Sequence, residues 1–89
     1  MTYKVLKKIS LEGFNATGKT KHYFGNEEMP KPVELQIVQY YGDTGYYLFY
    51  LNKDGEEMTD TYHETIESAY RQAEWEYNIL PDKWLTLTN

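Results

Sequence analysis

The segment from residue 40 to residue 50 constrains the fold more than any other part of the chain. It holds five of the chain's ten tyrosines, and it joins two β-prone runs, 33–41 and 46–52, through the turn-forming sequence 42–45. This pattern predicts an antiparallel hairpin with a four-residue turn at 42–45. Successive side chains of a strand point to opposite faces, and in the second run both sets are apolar. We therefore expect apolar rings on both faces of one sheet.

The length of the predicted turn sets the register of this hairpin. Directly opposite residues share a face of the sheet, so the register also predicts which rings meet. The expected pairs are Val38 with Phe49, Tyr40 with Tyr47, Ile37 with Tyr50, and Tyr41 with Tyr46.

A third strand continues the sheet after Lys53-Asp54-Gly55-Glu56. Asp-Gly is the preferred pair for a two-residue type I′ turn, so we expect a third strand at about residues 57–60, with 46–52 in the middle of the meander. Apolar alternation predicts a further strand over 3–11, and a short returning strand over 20–24. Glycine and proline make 25–32 a connector.

One amphipathic helix follows the strands. Thr65 is a good N-cap, Glu67 suits the first turn, and Pro81 requires the helix to end by about residue 79. Trp75 lies about half a turn away from the apolar stripe, so it either packs under a terminal segment or is exposed for binding. Trp84 and residues 85–88 form a candidate terminal strand. The stripe consists of Ile66, Ala69, Tyr70, Ala73 and Tyr77.

These elements predict an α+β fold in a single domain, 1–89, with an antiparallel sheet of three to five strands packed on one helix at about 65–79. A single helix covers only one face of the sheet. The other face must meet the N-terminal segment, a second copy of the chain, or a partner protein.

Charge is distributed unevenly along the chain. Residues 1–32 carry six lysines and three glutamates, whereas residues 54–82 carry nine acids and only Arg71 as a base. An acidic half disfavours nucleic acid and favours a basic protein as partner, because complementary fields speed encounter. The alternative is that the acidic surface only maintains solubility.

The chain has no cysteine, no secretory signal and no apolar run long enough for a membrane span, so we expect a cytoplasmic protein without a membrane partner.

Two short strings match enzyme motifs without the context that those motifs require. Gly13-Phe14-Asn15-Ala16-Thr17-Gly18-Lys19-Thr20 fits the phosphate-binding string G-x-x-x-x-G-K-[ST], but no helix is predicted after it. Asp43-Thr44-Gly45 resembles the aspartic-protease triplet, but Gly42 precedes it and Tyr46 follows it. We interpret the first as a hairpin loop and the second as a turn.

The segment Asp60-Thr61-Tyr62-His63-Glu64 contains side chains that bind metals or act as acids and bases. No other segment offers a second cluster of ligands. We interpret this one as a connector between strand and helix, and expect no catalytic residue, no metal and no cofactor.

The second half of the chain resembles a type of small acidic bacterial open reading frame over residues 46–84. These frames pair a strand, a "DG" turn, a "DT-aromatic-H" connector and an "AE-aromatic-E-aromatic" helix. The matching residues here are Asp54-Gly55, Asp60-Thr61-Tyr62-His63 and Ala73-Glu74-Trp75-Glu76-Tyr77. Some frames of this type look like immunity proteins, and the resemblance implies neutralisation of a toxin made by the same cell.

The sequence thus favours a protein-binding module, most specifically an immunity protein that inhibits a basic, nuclease-like toxin. Its acids steer the toxin's basic cleft and its aromatic rings anchor the contact. A structural homodimer is the first alternative, and an enzyme using His63 with Asp60 or Glu64 is the second. The expected partner-binding residues are Tyr46, Tyr50, Glu64, Glu67, Arg71, Glu74 and Trp75.

Overall fold

The computed structural model describes residues 2–19, 23–24, 26–28 and 30–87. Its elements in chain order are β1 (Tyr3–Ser10), β2 (Tyr23–Phe24), β3 (Glu27–Glu28), β4 (Glu34–Tyr40), β5 (Tyr46–Leu51), β6 (Glu57–His63), α1 (Ile66–Tyr77), a short 3₁₀ helix (Pro81–Lys83) and β7 (Leu85–Thr86).

Five of these strands form one antiparallel sheet in the order β6-β5-β4-β1-β7. The helix α1 packs on one face of it, which confirms the predicted α+β fold. β7 confirms the expected terminal strand over residues 85–86, and residues 88–89 lie outside the described part. Of the expected returning strand at 20–24, residues 23–24 form β2, which pairs with β3 in a separate ladder. Residues 20–22 lie outside the described part.

The register of the β4–β5 hairpin differs from the predicted one by two residues. Val38 lies opposite Tyr47 rather than Phe49, and Ile37 lies opposite Leu48 rather than Tyr50. The turn begins earlier than expected, because the Asp43 amide donates to the Tyr40 carbonyl at 3.1 Å. A shift of two residues leaves every side chain on its original face, so the predicted division of β5 into two faces is correct.

The turn between β5 and β6 is also wider than predicted. Only Gly55 of this turn has a positive φ, 79°, and its amide donates to the Asn52 carbonyl at 3.0 Å. A type I′ turn requires two residues with positive φ, so the connection is instead a three-residue loop, 53–55, with a bulge. The Asn52 side chain stabilises this loop by accepting hydrogen bonds from the Asp54 and Glu56 amides, both at 2.9 Å.

The helix begins and ends close to the predicted residues. Thr65 is its N-cap and accepts a hydrogen bond from the Ser68 amide at 3.1 Å. Asn78 ends it in the left-handed conformation, with its amide bonded to the Glu74 carbonyl at 2.8 Å. The predicted stripe faces the sheet: Ala69, Ala73 and Tyr77 are buried, and Ile66 and Tyr70 pack against the same core.

The apolar interior lies on both sides of the sheet. The larger cluster, between sheet and helix, contains Ile9, Leu11, Leu35, Ile37, Leu48, Tyr50, Ala69, Ala73, Tyr77, Ile79 and Trp84. The smaller cluster, on the opposite face, contains Val38, Phe49 and Leu51, with Val5, Tyr40 and Tyr47 packed against them. The helix therefore covers the even-numbered face of β5, which carries Tyr46, Leu48 and Tyr50.

The capping bond of Thr65 gives a direct test of the helix boundary. Thr65→Ala should lower the free energy of unfolding by about 1 kcal/mol, because the Ser68 amide loses its acceptor. Thr65→Ser retains a side-chain oxygen and should stay close to wild type. Denaturant unfolding of the two variants measures the difference, and equal stability would place the helix start elsewhere.

Candidate functional site

The sheet face opposite the helix carries five aromatic rings that contact one another edge to face. We call this surface the aromatic face; it consists of Tyr3, Tyr40, Tyr47, Phe49 and Tyr62. The contacting ring centroids lie 5.2 to 6.5 Å apart and the ring planes are inclined by 60° to 89°. Edge-to-face contacts of this kind contribute about 0.5–1.5 kcal/mol per pair beyond burial, so the rings hold one another in place.

The strand register explains why these rings come together. Tyr47 of β5 lies opposite Tyr62 of β6, and Tyr3 of β1 lies opposite Tyr40 of β4. Phe49 is only 2% exposed, and contacts Tyr3, Tyr40 and Tyr47. By contrast, Tyr3 is 42% exposed and Tyr62 is 51% exposed. The aromatic face therefore has a buried base and a half-exposed rim.

Gly45 makes room for one ring of this rim. A Cβ atom at Gly45 would overlap the Tyr62 hydroxyl oxygen and a carbon of its ring. Gly45 does not have a positive φ, so its backbone does not require glycine. The absence of a side chain at residue 45 is what lets the Tyr62 ring lie over the end of β5.

Two carboxylates lie beside the rings on the same face. Asp60 is opposite Phe49 and Glu57 is opposite Leu51, which puts both acids on the aromatic side of β6. We call this pair the acidic edge. Partial burial is the main cause that raises the pKa of Glu57. A hydrogen bond with Asp60 and the charge of the Asp60 carboxylate raise it further. Desolvation and the Glu57 and Asp60 carboxylates also raise the pKa of Tyr40, so the negative field reaches the rings.

The two tyrosines predicted as anchors lie on the other face of β5. Tyr50 is 1% exposed, and its hydroxyl donates to the Glu76 Oε1 at 2.6 Å. Tyr46 is half-buried against the core beneath the helix. Tyr50 is thus a core residue and is not available for contact with a partner protein. The exposed tyrosines of other strands, Tyr3 of β1 and Tyr62 of β6, belong to the aromatic face.

Sequence reasoning did not identify which face of β5 the helix leaves uncovered, because β5 is apolar on both sides. The neighbouring strands nevertheless contain a signal. Glu34 and Gln36 of β4 and Asp60 of β6 all share a face with Phe49, whereas Leu35 alternates with them. Polar residues at these positions indicate the side of a sheet that meets water.

Three other predicted residues line an open groove beside α1. Arg71, Glu74 and Trp75 lie around a cavity of about 600 Å³ together with Lys19, Ser68, Gln72 and Asn78. The Trp75 side chain is 43% exposed. Glu64 and Glu67 are exposed, and neither lines the groove.

The other wall of the groove is the loop that follows β1. Thr17 fixes this loop to the end of α1, because its amide donates to the Glu76 carbonyl and its hydroxyl to the Trp75 carbonyl, both at 2.7 Å. This loop contains the phosphate-binding string, of which Thr20 lies outside the described residues. β1 precedes the string, and the next element described after it is β2 rather than a helix.

A buried chain of polar side chains links the helix to the sheet. The His63 Nδ1 lies 2.8 Å from the Ser68 hydroxyl oxygen, and the His63 Nε2 lies 2.7 Å from that of Thr61.

Burial, followed by the hydrogen bond with Glu76, raises the pKa of Tyr50 and keeps its phenol neutral. Glu76 is only 4% exposed, and also accepts from Gln72. Its carboxylate therefore does not contribute to the acidic surface expected from residues 54–82.

One pair named in the enzyme alternative, His63 with Asp60, does not come together. His63 is on the helix side of β6, opposite Tyr46, whereas Asp60 is on the aromatic side, opposite Phe49. Both His63 ring nitrogens lie within hydrogen-bond distance of hydroxyl groups. Burial lowers the pKa of the imidazole, and the charge of Glu76 acts in the opposite direction. The Asp43 carboxylate accepts from the Gly45 amide at 3.2 Å, as a turn residue does.

Within the described ranges, no group of three or more potential ligand residues is placed to hold a metal ion. No helix in this part of the chain is long and apolar enough to cross a membrane.

Comparisons with protein-family models, with curated proteins and with solved structures gave no match. We therefore infer a function from the surfaces of this chain alone.

The lowered pKa of His63 predicts a loss of stability in mild acid. The folded state binds the imidazole proton more weakly than the unfolded chain, whose histidine has a pKa of about 6.5. The stabilisation is therefore complete above about pH 6.5 and decreases as the pH falls through this value towards the folded pKa. Urea unfolding across this range should show the decrease in wild type and a smaller one in His63→Gln. His22→Gln is the matched control, and a flattened profile in that variant instead would contradict the assignment.

The contact between Gly45 and Tyr62 predicts a dependence between two substitutions. Gly45→Ala should destabilise the protein by about 1–3 kcal/mol, because the new methyl group displaces the Tyr62 ring from Tyr47. In a Tyr62→Ala background the same change should cost almost nothing, because the obstructing ring is gone. A double-mutant cycle from denaturant unfolding measures this coupling, and additive effects would show that the ring does not require the glycine.

Proposed function

We propose that this chain is a protein-binding module that docks a basic protein on its aromatic face. In its most specific form, it is a cytoplasmic immunity protein that neutralises a basic toxin of the nuclease type. One observation carries the proposal: five interlocked rings with a buried base and an exposed rim lie beside two carboxylates on the sheet face away from the helix.

The rings suit the centre of an interface. Tyrosine contributes a large contact area and a hydroxyl group, and aromatic residues dominate the binding energy of protein interfaces. Because the rings of Tyr40 and Tyr47 are already held edge to face at 5.3 Å, binding orders few further side chains. Low ordering cost raises the affinity that a given contact area provides.

The charges suit a basic partner. After desolvation, the charges of Glu57 and Asp60 raise the pKa of Tyr40, and that of Asp60 raises the pKa of Glu57. A cation placed beside the two carboxylates therefore relieves their mutual repulsion. The exposed acids of residues 54–82 extend the negative field beyond the acidic edge. A nuclease binds phosphates in a basic cleft, and carboxylates on the surface of an inhibitor can occupy the same field.

A homodimer is the second candidate, because exposed rings also favour contact with a second copy. Sedimentation of the isolated chain distinguishes the two candidates. A stable dimer that buries the aromatic face supports self-association, whereas a monomer supports an external partner.

The test uses the product of the gene that neighbours the one for this chain, expressed first on its own to establish whether it is toxic. Co-expression should restore growth, and the purified pair should form a complex. Tyr3→Ala or Tyr62→Ala should each weaken binding about 30-fold, equivalent to about 2 kcal/mol, because each removes a ring of the exposed rim. Tyr41→Ala is the matched control, because Tyr41 is 65% exposed and lies in the turn outside the aromatic face.

Two results would overturn the proposal. If all three variants lose the same amount of binding affinity, the aromatic face is not part of the interface. If no neighbouring gene encodes a toxic protein, the chain is not an immunity protein. Salt adds a separate check on the electrostatic argument. The association rate should fall as ionic strength rises, whereas a binding constant that is the same at low and high salt would exclude charge steering.

A further inference from the structure

The strand that carries the acidic edge is also an edge of the sheet. β6 is seven residues long and pairs with β5 on one side only, and in the described part of the chain no strand lies beyond it. The opposite edge is divided between β7, which has only two residues, and the part of β1 that β7 does not pair with. An edge strand presents unpaired backbone amides and carbonyls, and a longer edge offers more of them.

We propose that the partner adds an extended basic segment to β6, as a sixth strand of the sheet. This inference rests on the proposed function, because it specifies how a basic partner reaches the aromatic face. Backbone hydrogen bonds along the edge supply affinity in such strand addition, and side chains at alternate positions supply specificity.

The charges of β6 argue against a second copy as the added strand. Asp60 is the central residue of the strand, so antiparallel pairing of two copies about its centre places each Asp60 opposite the other. Like charges directly opposite are destabilising. Glu57 lies on the same face and already shares a hydrogen bond with Asp60, so a second copy would crowd four carboxylates together.

The same geometry specifies the sequence that fits. Asp60 and Tyr62 point to the aromatic side of β6, two residues apart, while Thr59 and Thr61 point to the helix side. A strand laid against β6 therefore places a lysine or arginine beside Asp60. Two positions along, an apolar residue packs on the exposed Tyr62 ring. The segment recognised has the pattern basic-x-apolar in a β-prone stretch.

A designed peptide tests this mode without an identified partner. The probe is Thr-Lys-Thr-Phe-Thr-Lys-Thr, whose symmetry puts a lysine beside Asp60 in either strand direction. Titration into the labelled full chain, followed by NMR, should shift the amide signals of β6. The matched peptide with glutamate in place of lysine should bind at least about tenfold more weakly, because its charge repels the acidic edge.

Backbone methylation separates strand addition from simple contact with the rings. Only alternate residues of an added strand donate hydrogen bonds to β6. We therefore compare two peptides: one has methylated threonine nitrogens, and the other has methylated lysine and phenylalanine nitrogens. Binding should be abolished in one of the two peptides and weakened far less in the other. Asp60→Lys in the protein should reverse the preference between the lysine and glutamate peptides.

Two outcomes would overturn the inference. If both methylated peptides bind as the parent does, the contact uses side chains alone. If the lysine peptide shifts no β6 signal, the edge does not accept a strand. Neither result affects the Tyr3 and Tyr62 variants, so the proposed docking on the aromatic face keeps its own separate test.

Discussion

The structure depends on a central strand that is apolar on both faces. Leu48 and Tyr50 of β5 pack beneath the helix, while Phe49 and Leu51 pack on the other side, and all four are at most 5% exposed. Full burial of one such side chain stabilises a protein by about 1.5–3 kcal/mol. One twelve-residue helix covers the first set. The second set is packed by neighbouring rings of the same sheet, and those rings become the surface that the protein presents.

The buried polar chain connects the two halves of this arrangement. Glu76 of α1 accepts a hydrogen bond from Tyr50 of β5, and its carbonyl accepts one from Thr17. The same helical residue therefore contacts the sheet and fixes the loop after β1. A buried carboxylate is costly unless hydrogen bonds compensate for its lost hydration, and Tyr50 and Gln72 provide such bonds. This contact joins the helix to the even-numbered face of β5, so the opposite face of the sheet is the one left without a helix.

The candidate site was only partly predictable. The sequence indicated tyrosine-rich binding and an acidic second half, but the predicted anchors Tyr46 and Tyr50 lie on the helix side of β5. The helical pattern does not determine the surroundings of Trp75, which is half-exposed and lines a groove beside α1. The sequence pattern groups Glu76 with the surface acids, because it does not show that Tyr50 of a distant strand will bind this side chain.

The sequence by itself determined the longer strands, the helix, and the division of side chains between the faces of β5. Local signals are sufficient for this, since Thr65 caps the helix and alternation survives a register error of two residues. Only the tertiary structure decided the register, the loop at Gly55 and the face that the helix covers. These depend on contacts between residues far apart in the chain, and when both faces of a strand are apolar, alternation carries no information about which one will be buried.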